Sequence, residues 1–69
     1  MVSYKKLWVK LAERGWRKKD LCHYAGISST VVTKMGRGES VTTDVLVRVC
    51  RTLECNIGDI MDIEWDMSR

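Results

Sequence analysis

Few residues in this 69-residue chain could perform covalent chemistry. The single histidine, His23, stands beside Cys22, and the remaining cysteines are Cys50 and Cys55, with no Cys-x-x-Cys pair. Neighbouring positions on a helix point about 100° apart, so Cys22 and His23 do not by themselves make a nucleophile and its base. Each cysteine sits among periodic apolar residues, which predicts small reduced core side chains rather than metal ligands. No acid pair at a useful helical spacing and no phosphate-cradling glycine loop is evident, so no catalysis, metal, cofactor or small-molecule substrate is expected. Two polar sets remain. Ser29, Thr30, Thr33 and Lys34 are short hydroxyls and one cation at helical spacing, with Val31 at their edge. Short hydroxyls permit close approach to base edges, a lysine donates to guanine O6 and N7, and a valine can touch a thymine methyl. Around them stand Lys18, Lys19 and Arg37, cations suited to phosphate.

The charge distribution sharpens this pattern. Between Lys5 and Arg37 nine Lys/Arg face only Glu13 and Asp20, whereas from Gly38 onward three Arg face seven acids, although the whole chain carries only +3. Clustering of one sign over one half is the footprint of phosphate binding. A merely solvated helix surface is the plain alternative. Apolar residues make up 45% of the chain and proline is absent, a composition suited to one compact helical domain. No apolar stretch is long enough for a membrane span or a signal peptide, so a soluble cytoplasmic protein is expected.

The elements that must position these residues follow from apolar spacing. Tyr4, Leu7, Trp8, Leu11 and Ala12 predict a first helix with Ser3 as N-cap, ended by Gly15. Trp16 is expected to fold back onto the core; stacking on a base is its other reading. A second helix starts near Lys18, where two lysines oppose the helix dipole. An approaching phosphate would justify that cost, while Asp20 in the same turn offsets part of it. Leu21, Cys22 and Ala25 form its inner face, Gly26 suits the turn, and Ser28 suits the N-cap of a third helix from Ser29 to about Gly36. Val32 and Met35 face inward there. Gly36 to Ser40 is a glycine-bearing loop. Thr42 then caps a fourth helix carrying Val45, Leu46, Val49, Cys50 and Leu53, and Asn56 suits a short fifth helix through Ile57, Ile60 and Met61. In the tail, Ile63, Trp65 and Met67 alternate with acids, which fits a short strand pairing with a second copy, a one-turn extension or a frayed end.

The run L-x-x-x-G-W-x-K-K-D-L-C-x-x-A-G-I-S-x-x-x-V-x-x-M-x-x-G, followed by V-T-T-D-V-L-x-x-V-C-x-x-L-x-C-x-I-G-D-I, resembles the phage repressor and Cro (XRE-type) family of helix-turn-helix domains. The resemblance spans about Leu7 to Met61 and is to the short stand-alone members. It implies an all-α, compact five-helix, lambda-repressor-like domain. By position it places base reading at Ser29, Thr30, Thr33 and Lys34, and phosphate contacts at Lys18 with Arg17 or Lys19 beside it, and at Arg37 and Ser40. Four positions depart from the family pattern. Arg17 stands for the usual small polar N-cap, Lys18 for the usual Gln, Gly36 for a larger residue, and Glu54 for the usual helix-ending glycine. A left-handed Glu54 would cost about 1 kcal/mol.

The resemblance implies a DNA-binding domain over residues 1–62 and a short acidic tail over 63–69. The expected function is sequence-specific binding of double-stranded DNA in the major groove, as a transcriptional regulator. A homodimer on half-sites about 34 Å apart is expected, with Trp65 and Met67 at the C-terminal pole as the first surface to consider. The rival reading is a protein-interaction module, adaptor or antitoxin-like, whose tail holds a second protein.

Overall fold

The computed structural model describes residues 2–65. Along them run β1 (Val2–Ser3), α1 (Lys5–Arg14), α2 (Lys18–Ala25), α3 (Ser29–Gly36), α4 (Thr43–Leu53), a 3-10 turn (Ile57–Asp59) and β2 (Asp62–Ile63). Leu7, Leu21, Met35, Val49 and Ile60 are fully buried and draw α1 to α4 and the turn onto one core. α2 lies centrally, packed against both α3 and α4. No helix among the described residues is long and apolar enough to cross a membrane.

The α2–turn–α3 unit is set by its two junctions. Gly26 adopts φ 68°, so its N–H and that of Ile27 both reach the Cys22 carbonyl, at 3.0 and 3.2 Å. That left-handed residue turns the chain without a Cβ penalty. Two residues later the Ser28 hydroxyl accepts from the Val31 N–H at 3.2 Å and starts α3. From α4, Arg48 donates to the Gly26 carbonyl at 3.3 Å while pairing with Asp44 at 3.0 Å, so the turn is tied to the structural helix behind it.

Four expectations need correction. The domain is mostly helical but not all-α, and among the described residues it has four α-helices rather than five. The segment read as a fifth helix closes only one 3-10 turn: the Asp59 and Ile60 N–H groups reach the Asn56 and Ile57 carbonyls at 2.9 and 3.1 Å. Ile60 leaves helical geometry at φ −121°, its side chain fully buried, and Gly58 inside the segment lowers its helix propensity. The chain then extends, because Val2 pairs with Ile63 and Ser3 with Asp62 in an antiparallel ladder. The alternation around Ile63 thus serves a strand paired with this chain's own N-terminus. Ser3 belongs to that ladder, and Tyr4 takes the N-cap position of α1. Ala12, expected on the inner face, is exposed.

α4 ends, as the family resemblance implies, on a left-handed Glu54 with φ 54°. Its N–H still reaches the Arg51 carbonyl at 3.3 Å. The three cysteines are half-buried free thiols. Burial, followed by the neighbouring Cys55, pushes the Cys50 thiol above its usual range, which keeps it protonated and poorly nucleophilic.

Candidate nucleic-acid interface

α3 is anchored from beneath and open above. Val32 and Met35 are buried at 3% and 1% exposure, whereas Ser29, Thr30, Thr33 and Lys34 are all exposed. Val31 is half-buried at the edge, as its position predicts. The four polar residues are therefore one solvent-facing set on a helix that the core holds in place. Thr33 is partly committed: its hydroxyl donates to the Ser29 carbonyl at 2.9 Å, leaving oxygen lone pairs as its remaining hydrogen-bonding capacity.

The cations stand at the C-terminal end of this helix and at the start of α2. Arg37 occupies the C-cap of α3 and is exposed, with its guanidinium 3.7 Å from the Glu39 carboxylate in a loose surface pair. Ser40 is exposed and lines a groove between α3 and α4 together with Lys34, Val31 and Val41, so one base-facing candidate and one loop candidate share a wall. One hydrogen bond and one close backbone approach join this loop to the N-terminal segment. The Tyr4 hydroxyl donates to the Glu39 carbonyl at 3.4 Å, and Gly38, at φ 74°, lies so close to β1 that a Cβ there would meet the Val2 carbonyl oxygen at 3.0 Å.

At the start of α2, Arg17 is extended and its N–H donates to the Asp20 carboxylate at 2.7 Å. This bond explains how a helix without a small polar N-cap residue begins here. The Arg17, Lys18 and Lys19 side chains are exposed. Lys18 does not simply trail into solvent: its ammonium lies 4.7 Å from the centre of the Trp8 ring, and a Cβ on Gly36 would stand 3.1 Å from its Nζ. Lys18 is thereby brought from the start of α2 to the end of α3, a juxtaposition that spacing along either helix does not reveal. Trp8 was legible only as part of the inner stripe of α1.

Other cations serve the fold. Lys6 donates to the Gly58 carbonyl at 3.1 Å and pairs with Asp62 at 3.2 Å, tying α1 to the 3-10 turn and β2. Arg14 donates to the Leu53 carbonyl at 3.1 Å and lies over Trp16 at 5.5 Å. Trp16 is half-buried and stacked on Tyr24 with ring centres 4.6 Å apart, so its face is occupied within the molecule.

In the C-terminal segment, Ile63 and Trp65 are 53% and 76% exposed, and Glu64 between them lines a groove with Trp8, Gly36 and Arg37, while Met67 lies outside the described residues.

No curated protein matches the chain. Among solved structures, the transcriptional regulator VanUg is similar at 39% identity and a TM-score of 0.84, with 88% of this chain and 81% of that one covered. The profile of the Cro/C1-type HTH DNA-binding domain matches residues 6–66. With its two central helices joined through Gly26 and that match over nearly the whole chain, the protein belongs to the Cro/C1-type helix-turn-helix DNA-binding domain family.

Proposed function

We propose that this chain is a transcriptional regulator that binds double-stranded DNA sequence-specifically and performs no catalysis. α3 enters the major groove, where Ser29, Thr30, Thr33 and Lys34 meet base edges. Arg17, Lys18 and Lys19 contact the backbone from the start of α2, and Arg37 and Ser40 from the loop after α3. The observation that carries this reading is the exposed polar set on a helix anchored by buried Val32 and Met35, with the exposed cations Lys18 and Arg37 brought together at its C-terminal end. Similarity to VanUg, a transcriptional regulator, supports it.

One such module touches few base pairs, so the functional unit is a homodimer on half-sites about 34 Å apart or a multiple. Residues 1–62 form the DNA-binding part and 63–69 the contact tail. Trp65, at 76% exposure, is the side chain most in need of cover, and a second copy supplies it. Trp65→Ala should shift the sedimentation equilibrium toward monomer at micromolar concentration; an unchanged distribution removes this pole from the dimer.

Duplex binding is tested with mixed genomic fragments at two salt concentrations, comparing wild type with the Lys18→Ala, Arg37→Ala double variant. The logarithm of affinity should fall with log salt by about 0.9 per neutralised phosphate, and the variant should bind more weakly with a slope shallower by roughly two. Absence of wild-type binding at low salt transfers the function to protein interaction through the tail.

A further inference from the structure

Lys18 is the one phosphate candidate whose charged end is held by an aromatic ring, and the surroundings of that contact are specific. Trp8 projects from the middle of α1, half-buried against the core, so its ring is fixed by packing rather than free to follow the lysine. The Lys18 ammonium rests 4.7 Å from the ring centre. Close to it is also the last residue of α3, Gly36: a Cβ there would stand 3.1 Å from Nζ, tight enough that the lysine end would have to give way. Trp8 and Gly36 line one groove with Arg37 and with Glu64 from the chain after β2, so the ring places the Lys18 charge at the end of α3 that carries the Arg37 guanidinium. Three elements distant in sequence, α1, α2 and α3, meet at a single cation.

A lysine on a bare helix surface samples many rotamers, and fixing it on a phosphate costs entropy at the moment of binding. A lysine already lying on a fixed ring meets that cost during folding. An ammonium over a ring face still has N–H groups turned to solvent, because a π face occupies only one side of the charge.

From this geometry we infer that Trp8 is a positioning residue for DNA binding: it holds the Lys18 ammonium at the C-terminal end of α3, and Gly36 is the gap that admits it. This inference rests on the proposed DNA interface. It goes further by assigning a binding role to a side chain of α1 that touches no nucleic acid in that proposal, and to a residue that has no side chain.

The test combines the free protein with a double-mutant cycle on a duplex selected by the wild type. In the free protein, the Lys18 ε-methylene protons should resonate upfield of ordinary lysines through the Trp8 ring current. That shift should vanish in Trp8→Leu, persist in Trp8→Phe and shrink in Gly36→Ala. On DNA, Trp8→Leu should weaken binding about two- to fivefold, the factor equivalent to the 0.5–1 kcal/mol of an exposed cation–π contact. Trp8→Phe should restore most of it. In a Lys18→Gln background, Trp8→Leu should have no further effect, an outcome that a general weakening of the fold would not produce. Gly36→Ala provides a variant with the core ring intact: the alanine favours the helix, so the protein stays folded while affinity falls. The inference is overturned, with the DNA interface left standing, if Trp8→Leu binds as tightly as wild type or more tightly, or if its effect is as large without Lys18. Failure of the wild type itself to bind duplex overturns the interface, and the role of Trp8 with it.

Discussion

Replacing Glu54 by glycine should stabilise the domain. Glu54 ends α4 at φ 54°, a conformation that L-residues with a Cβ adopt at a cost of roughly 1–2 kcal/mol. Glycine removes that cost but has more freedom to lose from the unfolded chain, about 0.4–1 kcal/mol. Removing a carboxylate from the negative end of a helix adds a few tenths of a kcal/mol. The balance is a gain of about 0.5–1 kcal/mol. With a urea slope near 1 kcal/mol/M for a domain of this size, the unfolding midpoint should rise by roughly 0.5–1 M. Protein concentration must be held constant, since association also moves the midpoint. Glu54→Ala separates the causes, because it removes the charge and keeps the strain; it should lie within a few tenths of a kcal/mol of wild type. If the glycine variant is no more stable than the alanine variant, the left-handed end of α4 is not the source of strain and the reasoning fails.

Two further substitutions probe the supports of the α3–α4 loop. Gly38→Ala meets both a φ of 74° and the Val2 carbonyl oxygen at 3.0 Å, so it should lower stability by about 1–2 kcal/mol, read as a lower urea midpoint. Tyr4→Phe should alter the alkaline limb of stability. Burial raises the Tyr4 pKa above its usual value near 10, so the folded state favours the protonated phenol. That contribution is complete below the unfolded pKa and is lost as pH rises through the folded one. Denaturation midpoints followed from pH 8 to 11 should therefore fall more steeply in wild type than in Tyr4→Phe. At pH 7 the variant loses only the 3.4 Å hydrogen bond to Glu39, about 0.5–1 kcal/mol.

What the sequence disclosed follows from the range over which its signals act. The α2–turn–α3 unit was legible because Gly26, Ser28 and the apolar residues around them are local instructions, each satisfied by neighbours within four positions. The left-handed end of α4 came instead from the family resemblance, which puts a helix-ending glycine where this chain has Glu54. The β1–β2 pairing was not legible. The alternation from Ile63 fitted a short strand, but its partner Val2–Ser3 is too short for a periodic signature, and only the closed core brings Val2 to Ile63. The fifth helix was over-read because Ile57, Ile60 and Met61 have helical spacing, while the pull of buried Ile60 and the strand beyond it is tertiary. Within the interface, outward positions on α3 could be assigned from period alone. The link from Lys18 to Trp8 and Gly36 could not, because no helical period relates residues of three different elements.

Whether α3 reads bases while the flanking cations hold the backbone is decided by selecting bound duplexes from a random pool with wild type, Lys34→Ala and Lys18→Ala. Lys34→Ala should relax base preference at one position of each half-site by about 1–3 kcal/mol. Lys18→Ala should keep the wild-type consensus and bind all sequences more weakly, with its salt slope reduced by about one. An unchanged consensus for Lys34→Ala, or an altered one for Lys18→Ala, would contradict this division of labour.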